Sequence, residues 1–286
     1  MATAPDNRMM LREMHSRDLP KVLRLSKAER WPHRLEDLQM MLSLGEGIVA
    51  EVAGDIIGTT MWFSAGPSTA TIGMMLVSQS FRGRGIGRLV LESALERAGC
   101  ATFELNSTHG AVPLYRKFGF QGVMEIAQHQ GAAFQVPIIE LAPGERLRPI
   151  GTSDHPRIQA MLEDATGLSR AAAIDQLLQT AQVVGVERDG ELMGVAFFRR
   201  FGLGYVVGPV VAPTLQLAKA LMSHWLGSRA GEFTRSDIPG DCGLSSWLEE
   251  LGLTRVDGVL TMVRGKPLAP PHGDVSSFAI LSQAFG

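Results

Sequence analysis

The chain has 286 residues, 45% of them hydrophobic and 20% charged, with a formal net charge of −2 and a pI near 6.4. That length holds two ordinary domains or one large one, and the near-neutral charge argues against a polyanion as the main partner. Cys100 and Cys242 stand far apart with no ligand-like spacing, which argues against a disulfide framework and a cysteine zinc site; the N-terminal run is too polar for a signal peptide and no apolar run spans a bilayer, so a cytoplasmic globular protein that binds neither nucleic acid nor membrane is expected.

In chain order, Asp18 caps a first helix with an apolar stripe at Leu19, Val22, Leu23 and Leu25. "RLEDLQMMLSLGEG" predicts a second helix ending at Gly45 or Gly47. "GIVAEVAGDIIGTTMWFS" predicts two strands around a tight turn at Ala53-Gly54-Asp55, and "TATIGMMLVS" the next strand. A glycine-rich segment opens a helix that runs to Ala98 and stops at Gly99. "ATFELNS" is a strand, "AVPLYRKFGF" a short helix closing at Gly119, and "FQGVMEIAQHQ" begins the last strands of this half. "LAPGERLR", Leu141 to Arg148, has the texture of a linker.

The same grammar then starts again. Arg12 and Arg148 differ by 136 positions, as do Asp18 and Asp154, Gly54 and Gly190, and Gly58 and Gly194. Gly119 pairs with Gly252 at an offset of 133. A domain-sized period means a diverged duplication and not a solenoid. The copies part at one place: "LVSQSFRGRGIGRLVLESAL" in the first becomes "VVAPTLQLAKALMSHWL" in the second, without the glycines and arginines.

That segment, Arg82-Gly83-Arg84-Gly85-Ile86-Gly87-Arg88, lies between a strand and a helix. A helix start offers unpaired N–H groups and the positive end of the macrodipole, which together make an anion site suited to phosphate. Glycines let the main chain approach the anion, and the arginines add charge. The spacing is not the dinucleotide G-x-G-x-x-G, and no Lys-Ser/Thr follows as in a Walker loop. Arg-x-x-Gly-x-Gly after a strand resembles the acetyl-CoA pyrophosphate loop of the GNAT N-acetyltransferase superfamily. Leu114-Tyr115-Arg116-Lys117-Phe118-Gly119-Phe120 resembles the family's later signature. Thr108 stands where an asparagine is usual, seven positions before the tyrosine.

The resemblance implies an α/β (α+β) fold class: tandem acyl-CoA N-acyltransferase folds, each a mixed, mostly antiparallel twisted sheet with helices on both faces. It implies a catalytic acetyl-CoA-binding domain at 8–141, a diverged domain at 147–265 without the pyrophosphate loop, and a tail at 266–286. Acetyl-CoA is the implied co-substrate and no metal is expected. The pyrophosphate would sit on Arg82, Gly83, Arg84, Gly85, Ile86, Gly87 and Arg88, and the pantetheine along Met75, Leu76 and Val77, where two parallel strands splay. A backbone N–H near Met75 or Leu76 would polarise the thioester, and Tyr115 would protonate the departing thiolate. Glu104, Glu51 and His109 are candidate bases, none preferred. Trp31, His33 and Arg34 stand in the region that lines the acceptor site in this family, but a helix–loop–helix with a packing Trp is the preferred reading of them; Asp237 and Asp241 could receive a cationic amine, or mark an exposed helix start.

The implied reaction is acetyl transfer to a primary amine of a small molecule by a monomer or homodimer. A protein or peptide acetyltransferase and a non-catalytic acyl-CoA sensor are the alternatives. Phe278, Ile280 and Leu281 are expected to pack back onto a domain.

Overall fold

A two-residue hairpin turn of type I′ needs positive φ at both central positions, and Ala53 and Gly54 supply it, with φ of 50° and 84° in the computed structural model, which describes residues 9–266 and 273–285. Asp189 and Gly190, 136 positions on, repeat it at 52° and 90°. The described residues form two units: those up to Leu105 with Ala284 and Phe285, and Asn106–Gln283. The proline-rich residues 267–272 lie outside the described residues.

The first unit contains β1 (Met10–Glu13), α1 (Leu19–Ala28), α2 (Leu35–Leu44), β2 (Glu46–Val52), β3 (Asp55–Ser64), β4 (Thr69–Val77), α3 (Ile86–Ala98) and the start of β5 (Thr102–Ser107). The strands lie in the order β1-β2-β3-β4-β5. The first three pairings are antiparallel; β4 and β5 are parallel, as a crossover through a helix requires. α3 buries Ile86, Val90, Leu91, Ala94 and Leu95. Each large aliphatic side chain so buried is worth about 1.5–3 kcal/mol, which outweighs the roughly 1 kcal/mol that a helical glycine costs. Packing therefore lets this helix start on glycines.

The second unit contains α4 (Val112–Lys117), β6 (Gln121–Ala132), β7 (Glu145–Pro149), α5 (His155–Thr166), α6 (Ala171–Thr180), β8 (Gln182–Arg188), β9 (Glu191–Phe201), β10 (Gly204–Ala212), α7 (Leu215–Ser228), β11 (Phe233–Pro239), α8 (Ser245–Glu250), β12 (Leu253–Arg264) and β13 (Ser276–Ala279). Its strand order is β12-β6-β11-β10-β9-β8-β7, with β13 also on β10. β6 precedes the start of the second copy in sequence, yet it lies between β11 and β12 and pairs antiparallel with both. Trp225 stacks on Phe198 at 5.2 Å, Phe198 on Tyr205 at 4.7 Å, and the Trp225 indole donates to the Ala196 carbonyl at 3.1 Å. Among the described residues no helix is long and apolar enough to cross a membrane.

Each copy carries the same ion-pair clamp. The Arg12 guanidinium donates to Asp18 at 2.7 and 2.9 Å and to Glu51 at 2.7 Å. Arg148 donates to Asp154 at 2.7 and 2.8 Å and to Glu187. All three positions shift by the same 136 residues, so the duplication extends to side-chain chemistry. Asp18 does not cap α1 as expected: its carboxylate accepts from Arg12 and from the His15 N–H at 2.9 Å, and α1 has no side-chain cap bond. The stretch expected as linker up to Arg148 is strand from Glu145, because Arg146 and Arg148 reach across to Glu187.

In the second unit, β10 and β11 pair only at Tyr205↔Thr234 and Val206↔Arg235. After a shift in register between Val207 and Val210, β13 takes over that edge, pairing Val210↔Ala279, Val211↔Ser277 and Ala212↔Ser276. The Ile280 N–H donates to the Asp237 carbonyl on β11 at 2.9 Å, so the tail is wedged between two diverging strands. Phe278 and Leu281 are buried and Ile280 is half-buried.

Candidate active site

The parallel ladder of β4 with β5 runs from Thr69↔Thr102 to Ile72↔Leu105. The ladder of β4 with β3 continues to Val77. Between Thr59↔Leu76 and Met61↔Gly73 the register slips, so Met74 and Met75 oppose the single residue Thr60, and Met74 takes φ of 51°. This β-bulge lies just past the end of the parallel ladder. Leu76 is buried there, while Met75 and Val77 are half-buried.

After Val77 the chain makes a 3-10 turn, Gln79–Phe81, and enters the glycine segment. Gly83 has φ of 75° and Gly85, the residue before α3, has φ of 81°. A Cβ added at either would meet nothing within 4 Å, so the glycines serve backbone conformation and leave open space over the main chain. Leu89 N–H to the Gly85 carbonyl, at 3.1 Å, begins the helical ladder, and the amides of Ile86, Gly87 and Arg88 precede it. An anion fits this donor-rich opening.

Ile86 offers main chain only. Its side chain is buried, and Cγ2 lies 2.8 Å from where a Cβ on Gly58 would stand, which holds the helix start against β3. The three arginines differ. Arg82 pairs with Glu29 and donates to the Val77 carbonyl at 3.3 Å, so it braces the loop. Arg84 lies over the Phe81 ring at 5.0 Å. Arg88 faces Glu92 at 3.8 Å with 70% of its side chain exposed.

The remaining candidates sort by environment. Glu51 is held by Arg12 and is part of the repeated clamp, which disfavours it as a base. Glu104 is buried on β5 opposite Thr71. His109 is exposed and stands 3.8 Å from Glu125. Tyr115, in the second unit, is buried on α4 beside Phe120 at 5.8 Å, and burial pushes its phenol well above the usual range. His33 is buried with Nδ1 2.8 Å from the Ser26 hydroxyl, Trp31 meets its ring edge-on at 5.8 Å, and Arg34 pairs with Asp37 at 2.8 Å; all three serve local structure. Asp237 is neither in a loop nor at a helix start. It is buried in β11, bonded to Arg235 at 2.8 to 3.1 Å and to Gln283 at 3.1 Å, so its carboxylate is already occupied; Asp241 is exposed. Among the described residues no cluster of three or more His, Cys, Asp or Glu could hold a metal.

The acetyltransferase (GNAT) domain family matches residues 43–122, and a second acetyltransferase (GNAT) family matches residues 158–276. A comparison with curated protein sequences finds no match. Among solved structures, a putative acetyltransferase from Pyrococcus horikoshii is similar at a TM-score of 0.79 and 19% identity, over 97% of this chain and 96% of that one. A GCN5-related N-acetyltransferase from Sphaerobacter thermophilus gives 0.69 and 15%, over 94% and 99%. A tandem GNAT protein from the clavulanic acid biosynthesis pathway gives 0.66 and 14%, over 91% and 99%.

Proposed function

The chain belongs to the GNAT acetyltransferase superfamily as a tandem of two such domains, and from that premise we propose that it is an acetyl-CoA-dependent N-acetyltransferase for a primary amine of a small molecule, its catalytic site in the first copy. One observation carries the reading. Behind a strand that outruns its parallel neighbour at Ile72, α3 opens on two left-handed glycines with empty space above them.

In this reading the Gly83–Arg88 main chain holds the pyrophosphate, Arg84 and Arg88 add charge, and Arg82 keeps the loop in shape. Met75–Val77 lines the pantetheine arm. The amine, after its ammonium proton has passed to solvent, attacks the thioester carbonyl of acetyl-CoA; the C–S bond breaks, the thiolate takes a proton from the acid, and the nitrogen's second proton leaves to solvent, from which the acid is reprotonated. Holding both reactants in line provides much of the acceleration. The likeness of Leu114–Phe120 to the family's signature supports Tyr115 as the acid; burial raises its phenol, which holds the proton in place and makes it a weaker donor.

The second copy lacks the glycines, and β13 fills the gap between β10 and β11, which supports a structural role. The test is thiol release from acetyl-CoA across a panel of amines. Turnover on small amines is expected, with Tyr115→Phe lowering kcat by roughly 10²–10⁴-fold and leaving CoA affinity unchanged. Turnover on peptides alone, or binding without turnover, would move the assignment to a protein acetyltransferase or to a sensor.

A further inference from the structure

Gly73 is the first residue of β4 beyond the parallel ladder, and no side chain could stand there. A Cβ built on it would fall on the carbonyl oxygen of Ala284. Gly73 pairs with Met61, and Thr71 with Phe63, so these side chains share one face of the sheet. On that face the Phe285 ring packs against Phe63, with ring centroids 4.5 Å apart. Ala284 and Phe285 are both buried, the latter 2% exposed. The last described residues are thus built into the catalytic unit at the point where β4 and β5 part.

The apex is bounded in three ways. In the sheet plane the Ile72↔Leu105 pairing closes it. Ile72 also pairs with Trp62, which shares its face with Gly58, the residue Ile86 of α3 abuts; Ile72, Trp62 and Leu105 are all buried core. On the opposite face the wall is Ala284–Phe285. A ligand anchored at the Gly83–Arg88 loop and lying along β4 runs back toward this apex, about 13 Å from Val77 to Gly73 at roughly 3.3 Å per residue. Its far end is the acyl group.

We propose that Ala284 and Phe285 form the floor of the acyl site and set the length of acyl chain the protein accepts, an inference that rests on the acyl-CoA reading above. Two of the boundaries are sheet and core, which cannot yield without loss of the fold. The third is a short segment seated on a glycine, so chain length is decided there. Short acyl groups end above the floor; longer ones meet the Ala284 carbonyl and the Phe285 ring.

The test is calorimetric titration, without any amine, of free CoA, acetyl-CoA, butyryl-CoA and hexanoyl-CoA into the wild-type protein, Phe285→Ala and Gly73→Ala. The first variant removes the ring; the second drives the tail off its seat by the added methyl, so the floor is moved by two routes with thermal melts to confirm folding. The wild type should bind acetyl-CoA at least tenfold more tightly than hexanoyl-CoA, and both variants should bring the ratio below about threefold, with Phe285→Ala binding free CoA as the wild type does. Equal affinities in the wild type, or an unchanged ratio in folded variants, would overturn the floor and leave the acyl-CoA reading intact. Absence of any binding of free CoA to the wild type would overturn both.

Discussion

Replacing Gly85 by alanine separates a backbone cost from a binding cost. Gly85 sits at φ of 81°, with nothing within 4 Å of an added Cβ, so the methyl clashes with no protein atom. The penalty is that of an L residue in the left-handed region, about 1–2 kcal/mol, or a fall in Tm of roughly 2–4 °C per kcal/mol. Gly54 offers a matched control, since it has φ of 84° and equally open surroundings but lies in the β2–β3 hairpin. Gly54→Ala should lower Tm similarly and leave CoA affinity untouched. In Gly85→Ala the methyl stands in the space an anion must enter. Losing two charge-assisted main-chain hydrogen bonds of about 1.5 kcal/mol each amounts to about two orders of magnitude in Kd. The assay is calorimetric titration of CoA into both variants, alongside thermal melts. Equal CoA affinity in the two alanine variants would refute the assignment of the loop, however the melts turned out.

Other outcomes follow from features of the second unit. Acetyl-CoA should bind with a stoichiometry of one per chain, because β13 already pairs with the β10 edge; titration giving two equivalent sites would contradict this. Asp154, held by Arg148, has its carboxyl lowered to about 2 from 3.8. Its contribution is therefore complete above the unfolded value and lost as pH falls through the folded one. Asp154→Asn should cost about 1–2 kcal/mol at neutral pH, allowing for partial solvent screening, in urea titrations whose gap from wild type narrows as pH drops from about 5 to about 2.5; a widening gap would reverse the sign of the argument. His129 is fully buried, with Nδ1 2.9 Å from the Leu253 carbonyl and Nε2 3.0 Å from the Ser245 hydroxyl. Ser245→Ala should cost about 1–3 kcal/mol by leaving one ring nitrogen unpaired, and urea midpoints equal to wild type would exclude that role.

What the sequence made legible was local. The hairpin at Ala53–Gly54, the end of α3 at Gly99 and the helix opening at Gly85 all need φ > 0, which glycine announces by its identity. The 136-residue offset of Arg12 and Asp18 announced the duplication without showing that these residues bond to each other and to a glutamate. Non-local pairing was hidden. "SSFA" shows no alternation to predict a strand, and becomes one because β10 leaves an edge for it. Asp237, ahead of a Pro-Gly pair, reads as a loop carboxylate; in β11 it is tolerated because Arg235 and Gln283 satisfy it. Glu145 to Arg148 look like linker because they are polar, yet they ladder with β8 from Glu145↔Arg188 onward and their charges are matched across that ladder. The tail on Gly73 could not be foreseen at all, since a glycine in a strand shows only that something comes close.

The wedge of β13 between β10 and β11 bears on how a duplicated domain can give up its ligand. A diverging pair of strands leaves main-chain donors and acceptors exposed, and such an edge invites pairing with another chain. Where a ligand with amides along its length lies there, the edge is capped whenever the ligand is bound. A copy that no longer binds would carry the edge bare at all times, open to self-association. Four residues, Ser276–Ala279, remove that hazard in the second unit.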